Sequence, residues 1–466
     1  MKKSIIICLA VMGLSTTMFA QTDKEAEKAA KAAEKAAKEE AKQAKKDAMA
    51  LFEQGYKCYE QSNNAMSEFN SWKSMQKDAE KVAARQAELN AQMLELAKEG
   101  DPLLQKAFAT GLVEEKKYFD GWRARDFMLS QLINVELQHA SKKEPFDTAF
   151  FSTAASDMCD ACYYQLKYGK QSDEQQSIMM KQASAKLPSL GTYLAYACQF
   201  QIERKNVDGA CEALDNYKNF PVKYAGYVDA YTPQIPYAQF AFNIYYTAFQ
   251  AKRFDVCEKY YNEAMKFDDK ESHAFVAQSR PQIYLQQGDT ARWVGTLKEL
   301  IESDPTSSSS EAATQNLLAY YSSKGNKEMS DFADDMLAKN PNSKIANYGK
   351  GYVFINQQKY AEAIPYYEKS IEIDPEYVDG NYMLGFCYYQ IGLENGRKIS
   401  DKKYKTQAEA DKEGEALVKS YLRKAAPYFE KVRELQPETS NRWASELKVI
   451  YQNLGQKAKA AELSNY

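Results

Sequence analysis

Three prolines that close amphipathic helical stretches, Pro305, Pro341 and Pro375, stand 36 and 34 residues apart. A terminator at this interval leaves room for two helices of about a dozen residues and two short turns, a unit too small to bury its apolar face alone. Units of this kind become stable by stacking on their neighbours, so the interval predicts an all-α array whose core continues from one unit into the next. No alternating run of apolar and polar residues is long enough to build a sheet.

Lys344 to Tyr377 shows one unit in full. Asn347, Gly351 and Phe354 recur at helical spacing, Asn356-Gln357-Gln358 breaks the pattern, and Ala363, Tyr367, Ser370 and Ile371 resume it until Asp374-Pro375. Gly351 and Ala363 let two backbones approach, while Phe354, Tyr360 and Tyr367 fill the space around them. The stretch resembles the tetratricopeptide repeat, whose pattern has a small residue in mid first helix, an aromatic one turn on, a small residue early in the second helix, an aromatic one turn later and a closing proline. Lys350 stands where that pattern has leucine. The resemblance implies an α-solenoid of tetratricopeptide-like helix pairs. It continues through Leu384, Gly385 and Tyr388, and AIPYYEK from Ala363 returns as AAPYFEK from Ala425, with Phe429 and Pro437 completing that second helix. Pro375 and Pro437 are 62 residues apart, one repeat of 34 with 28 more. Residues 393–420 are therefore expected to be an insert between two helices of one repeat, part of it an extended projecting helix. A last pair, Ala444 to Leu463, closes the array with Lys448, Gln452 and Lys457 on a polar outer face.

The same reading divides the rest of the chain. Residues 1–20 read as a signal peptide: Lys2 and Lys3, an apolar run from Ile5 to Leu14, then a polar break ending in Ala20. The run is about half the roughly 20 residues a spanning helix needs. Cys8 lies inside it, not after a small-residue box, so the expectation is a periplasmic or secreted protein without a lipid anchor. Residues 21–47 are almost wholly Ala, Lys and Glu, a helix that needs little packing. Its alanine line at Ala26, Ala30, Ala33, Ala37 and Ala44 is heptad-like but broken by Glu40, which leaves both a solvated leader and a dimerising strand open. Residues 48–237 read as degenerate helical repeats, with breaks at Gly100-Asp101-Pro102 and Glu144-Pro145. The proline- and tyrosine-rich segment 219–237 is expected to be a long ordered loop or a joint, followed by regular repeats over 238–466.

Chemistry is sparse. With 61 basic and 64 acidic residues there is no global field for nucleic acid, and no basic stripe interleaves with stacking aromatics. No phosphate loop, dinucleotide fingerprint or nucleophile elbow occurs. Gly349-Lys350-Gly351 belongs to a repeat helix, and His139 and His273 lack partners at ligand spacing, so no enzyme, cofactor or metal is expected. Cys159-Asp160-Ala161-Cys162 reads as two buried thiols, with a disulfide or a redox pair as the alternatives, and Cys198/Cys211 as thiols with a disulfide as the alternative.

The surface left for function is the concave face that the resemblance assigns to first-helix residues between the packing positions. Here these are Tyr348, Tyr352, Tyr382, Phe386 and Tyr389. Aromatics in place of the family's Lys and Asn clamp imply an apolar, proline-rich or amphipathic protein segment, or a glycan stacked on tyrosine; packing against neighbouring repeats is the competing role for the same rings. The leading expectation is a non-catalytic scaffold for another protein or an envelope assembly. A carbohydrate or small-ligand binder is the alternative.

Overall fold

The computed structural model describes residues 22–463, so the segment 1–20 read as a signal peptide lies outside it. All regular structure among the described residues is helical, and none of these helices is long and apolar enough to cross a membrane. The chain is an all-α solenoid of helix pairs that divides into two compact units, the first ending at Asp268 and the second beginning at Asp269.

Unit 1 holds α1 (Thr22–Ser74), α2 (Ala79–Ala109), α3 (Tyr118–Ser141), α4 (Thr148–Tyr168), α5 (Glu174–Lys186), α6 (Gly191–Glu203), α7 (Val207–Lys223), α8 (Tyr237–Gln250) and α9 (Phe254–Ala264). The Ala/Lys/Glu segment is the first part of α1. Its side chains are exposed from Glu27 through Asp47, and Lys31–Glu27 and Lys38–Glu34 pairs at 2.5 Å brace it along its own axis. Burial begins at Ala48 and Phe52, where α1 meets α2 and α3.

Gly100-Asp101-Pro102 is not a break: α2 runs through it. Gly100 is buried where an added Cβ would lie 2.7 Å from Cys58 Cβ, so glycine here serves close helix packing. Asp101 is buried too, and accepts from Arg125 Nε at 2.8 Å and Nη2 at 3.4 Å. The same guanidinium donates from Nη2 to Asp157 of α4 at 2.6 Å and lies over the Trp122 ring. One arginine thus ties α2, α3 and α4 together inside the core.

The segment after α7 is packed into unit 1, which is why the unit ends at Asp268 and not at the prolines. Tyr224 donates to Asp160 at 2.9 Å, Tyr217 donates to the Ile235 carbonyl at 3.2 Å, and the Tyr231 ring covers Gly191. Cys58, Cys159, Cys162, Cys198 and Cys257 of this unit are buried free thiols, and Cys211 is a half-buried one. Burial pushes the Cys257 thiol up to about 12 and raises Cys159, Cys162 and Cys198 as well, which favours the protonated thiol at each.

Unit 2 continues with α10 (Lys270–Gln286), α11 (Thr290–Ser303), α12 (Ser308–Ser322), α13 (Asn326–Lys339), α14 (Lys344–Ile355), α15 (Tyr360–Ile373), α16 (Val378–Ser400), α17 (Gln407–Gly414), α18 (Ser420–Leu435), α19 (Ala444–Asn453) and α20 (Lys457–Glu462). Asp269, Asp289, Ser307 and Ser343 cap α10, α11, α12 and α14 through their side chains. Asn347 and Asn381, 34 residues apart, each donate to the carbonyl of the proline six residues back, Pro341 at 3.1 Å and Pro375 at 3.0 Å. A further 62 residues on, Trp443 donates its indole N–H to the Gln436 carbonyl at 3.3 Å. Pro375 and Pro437 are themselves exposed; what recurs is a buried side chain tying each helix start to the preceding terminator.

One turn recurs in both units. The residue closing the first helix of a pair is left-handed at Lys205, Lys252, Gly288, Gln358 and Gly455, with φ between 57° and 74°. The next amide donates five residues back each time, from Asn206, Arg253, Asp289, Lys359 and Gln456, at 2.8–3.0 Å. This is a Schellman cap, which satisfies carbonyls at a helix end.

The insert lengthens both helices of its repeat. α16 runs on to Ser400, and α17 returns through a single π turn at Glu415–Lys419 into α18. The hairpin is held by Asn395 donating to the Leu417 carbonyl at 2.9 Å and by Lys402–Glu413 at 2.7 Å, and no residue from 393 to 420 is buried. Deleting 393–420 leaves Gln390-Ile391-Gly392-Tyr421 between the two helices, as long as the connection 356–359 between α14 and α15. The deletion is therefore expected to lower the stability of unit 2 by less than about 2 kcal/mol, since shortening a connection costs little beside losing a packed face. Denaturant unfolding checks this, and loss of a cooperative transition would show that the insert belongs to the core.

Candidate functional site

Between α14 and α15, and between α16 and α18, a glycine of one helix faces an aromatic ring of the other. A Cβ on Gly351 would lie 2.8 Å from the Tyr367 ring, and one on Gly385 3.2 Å from the Phe429 ring. Ala363, Tyr367, Leu384, Ala425 and Phe429 are fully buried and Tyr388 nearly so. Phe354 is only half-buried and stacks on Tyr366. Lys350 in the leucine position keeps its stem buried and reaches Ser330 Oγ at 2.9 Å and Asp334 at 2.6 Å, so the departure from the pattern is absorbed by an ion pair.

The five rings proposed for the concave face are all half-buried, and they fall into two groups. Tyr348 and Tyr352 line a cleft of about 410 Å³ between α12 and α14, together with Tyr377 and Asp379 at the start of α16 and with the apolar Leu318, Met329 and Ile345. Tyr348 meets Tyr377 edge to face at 5.7 Å and 75°, and stacks offset on Tyr352 at 6.3 Å. Behind them, Tyr348 packs edge-on against the core ring of Tyr367 at 5.6 Å. Burial pushes the Tyr348 and Tyr377 hydroxyls well above the usual phenol range, so both stay neutral hydrogen-bonding groups.

Tyr382, Phe386 and Tyr389 do not line this cleft. Tyr382 stacks on Phe386 at 6.2 Å, and Tyr382 and Tyr389 stand edge-on to Phe429 at 5.8 and 6.3 Å. Tyr382 also carries the guanidinium of Arg442 over its ring at 4.8 Å, and the same arginine donates to Asp379 Oδ1 at 2.6 Å. Reading first-helix positions alone misses Tyr377 and Asp379, because they come from the turn and first residues of the next repeat. Their signal is the conjunction of that turn with the Tyr348 position one repeat earlier.

The sequence pattern of the tetratricopeptide repeat family matches this chain over residues 345–377, the α14–α15 pair with the turn that follows. Residues 345–377 are a tetratricopeptide repeat. Tyr348, Tyr352 and Tyr377 thus lie within the repeat itself, and Asp379 lies two residues past it. Solved structures to which the chain is similar include MamA, with 16% identity over 41% of this chain and 86% of that one at a TM-score of 0.28. The C-terminal part of a repeat-containing protein from Cytophaga hutchinsonii has 13% identity over 58% and 92% at 0.31, and yeast Tom70 has 12% over 90% and 91% at 0.29. A comparison with curated protein sequences gives no match.

Proposed function

We propose that the protein is a non-catalytic repeat scaffold of the bacterial cell envelope that holds a segment of another protein against the cleft between α12 and α14. The observation that carries this is the cleft itself: three tyrosine rings of the tetratricopeptide repeat and its closing turn line one open concavity beside an apolar floor. Rings of this kind supply large contact area at small entropic cost when a partner covers them. The export signal read at residues 1–20 supports the envelope setting.

Crosslinking the mature protein in cells, with a photoreactive group at Ala319 on the exposed rim of the cleft, tests the reading. One recurrent protein partner is expected, and its capture per folded molecule should fall about thirtyfold in Tyr352→Ala, the loss of roughly 2 kcal/mol typical of a central aromatic anchor. Phe386→Ala, outside the cleft, should change capture little. Recurrent crosslinking without any protein, with a melting shift on added glycans, would replace this reading by carbohydrate binding.

A further inference from the structure

The cleft has a chemistry more specific than an apolar groove. Asp379 Oδ1 is taken by Arg442 at 2.6 Å, while Oδ2 accepts no hydrogen bond among the described residues. This carboxylate lies beside Tyr348 and Tyr377, whose rings are nearly perpendicular, with Tyr352 offset behind. Aromatic rings beside an anion are the elements that hold a cation. The chain already uses them so twice on this surface: Arg442 lies on Tyr382 while paired with Asp379, and Lys344 lies over Tyr377 at 5.6 Å while paired with Asp374 at 2.7 Å. Lys344 also faces Glu311 at 3.7 Å, so two cations and three carboxylates stand around these rings, and their sum of one negative charge favours a cation over an anion. The floor is apolar, with Leu318, Met329 and Ile345 buried beneath it. A flexible methylene stem ending in a charge fits such a floor.

We propose that the cleft receives a lysine or arginine side chain of the partner segment, its stem on Leu318 and Ile345 and its charged head between Asp379 Oδ2 and the Tyr348 and Tyr377 rings. The inference rests on the reading of the cleft as a docking site, and adds the charge of what docks there.

The test uses the full chain with carbon-13-labelled tyrosine rings and three capped amino-acid probes: Nα-acetyl-lysine amide, Nα-acetyl-norleucine amide and Nα-acetyl-glutamate amide. Saturable shifts of the Tyr348, Tyr352 and Tyr377 resonances are expected with the lysine probe, at least about tenfold tighter than with the uncharged norleucine probe and weakened by salt. Asp379→Asn should weaken the lysine probe about tenfold and Asp379→Glu should restore most of it, with melting curves confirming that both variants fold. Should Asp379→Asn not fold, Tyr352→Leu takes its place and is expected to weaken binding several-fold. Equal binding of lysine and norleucine probes, preference for the glutamate probe, or no shift at all overturns the proposal. If crosslinks nonetheless place a partner on the cleft, only the cationic side chain is lost; if they fall elsewhere, the docking reading fails with it.

Discussion

Tyr367→Ala is expected to lower the unfolding free energy of unit 2 by about 3–5 kcal/mol, the range for truncating a large buried aromatic to alanine. The side chain is completely buried, its ring lies against Gly351 where no Cβ would fit, and it supports Tyr348 edge-on from behind. Truncation leaves a void between α14 and α15 that neither backbone can fill without breaking its own stack on the adjacent repeats. Tyr367→Phe separates packing from polarity: the hydroxyl is buried without a hydrogen-bond partner among the described residues, so its removal is expected to change stability by no more than about 1 kcal/mol and in the stabilising direction. Urea unfolding of the full chain, followed by a reporter in unit 2, measures both. A loss under about 1 kcal/mol for the alanine variant would mean that the ring does not close the α14–α15 interface.

Arg125→Met is expected to destabilise unit 1 by a similar amount, about 3–5 kcal/mol, because it leaves two carboxylates without the cation that joins them. Arg125 is 3% exposed in its side chain and Asp101 is 7% exposed, so water does not replace the lost donors at Asp101. Burial already pushes the Asp101 carboxyl above its ordinary value of 3.8 against the opposing pull of Arg125, and without the arginine it must rise further. An acid raised in the folded state favours its protonated form there, so the penalty of the variant is full above the raised value. It shrinks as pH falls through that value toward 3.8. The gap in stability between parent and Arg125→Met should accordingly narrow on acidification, and denaturant titrations between neutral and mildly acidic pH read it directly. A gap that widens instead would show that Asp101 is solvated in the variant. Adding Asp101→Leu to Arg125→Met removes the orphaned anion and should recover a large part of the loss.

The helix pairs of unit 2 were legible in the sequence because close packing of two backbones admits few residue types: Gly351, Ala363, Gly385 and Ala425 sit where larger side chains have no room, and Asn347 and Asn381 repeat beside their prolines. Unit 1 was harder to read for a definite reason. Its helix ends use the same left-handed turn as unit 2, with Lys205 and Lys252 where unit 2 has Gly288 and Gly455 at two turns and Gln358 at the third. Stacking on neighbouring helices offsets the roughly 1–2 kcal/mol that a non-glycine residue costs in that conformation, and so erases the glycine signal. Likewise Gly100-Asp101-Pro102 carries every mark of a loop, yet the partner that keeps it helical, Arg125, is 24 residues away in sequence.

The sequence by itself determined the repeating unit, because a period near 34 with small and aromatic residues in register is a local consequence of two helices touching. It also singled out the first-helix rings beside that contact, Tyr348, Tyr352, Tyr382, Phe386 and Tyr389, all of which pack partly against the core. Only the tertiary structure decided what those rings do. Tyr348 and Tyr352 acquire Tyr377 and Asp379 as neighbours across the start of the next repeat, whereas Tyr382, Phe386 and Tyr389 lean on Phe429 and on Arg442. A cleft is made by the angle and spacing at which one repeat stacks on another. That depends on side chains from several helices at once, and no single repeat encodes it.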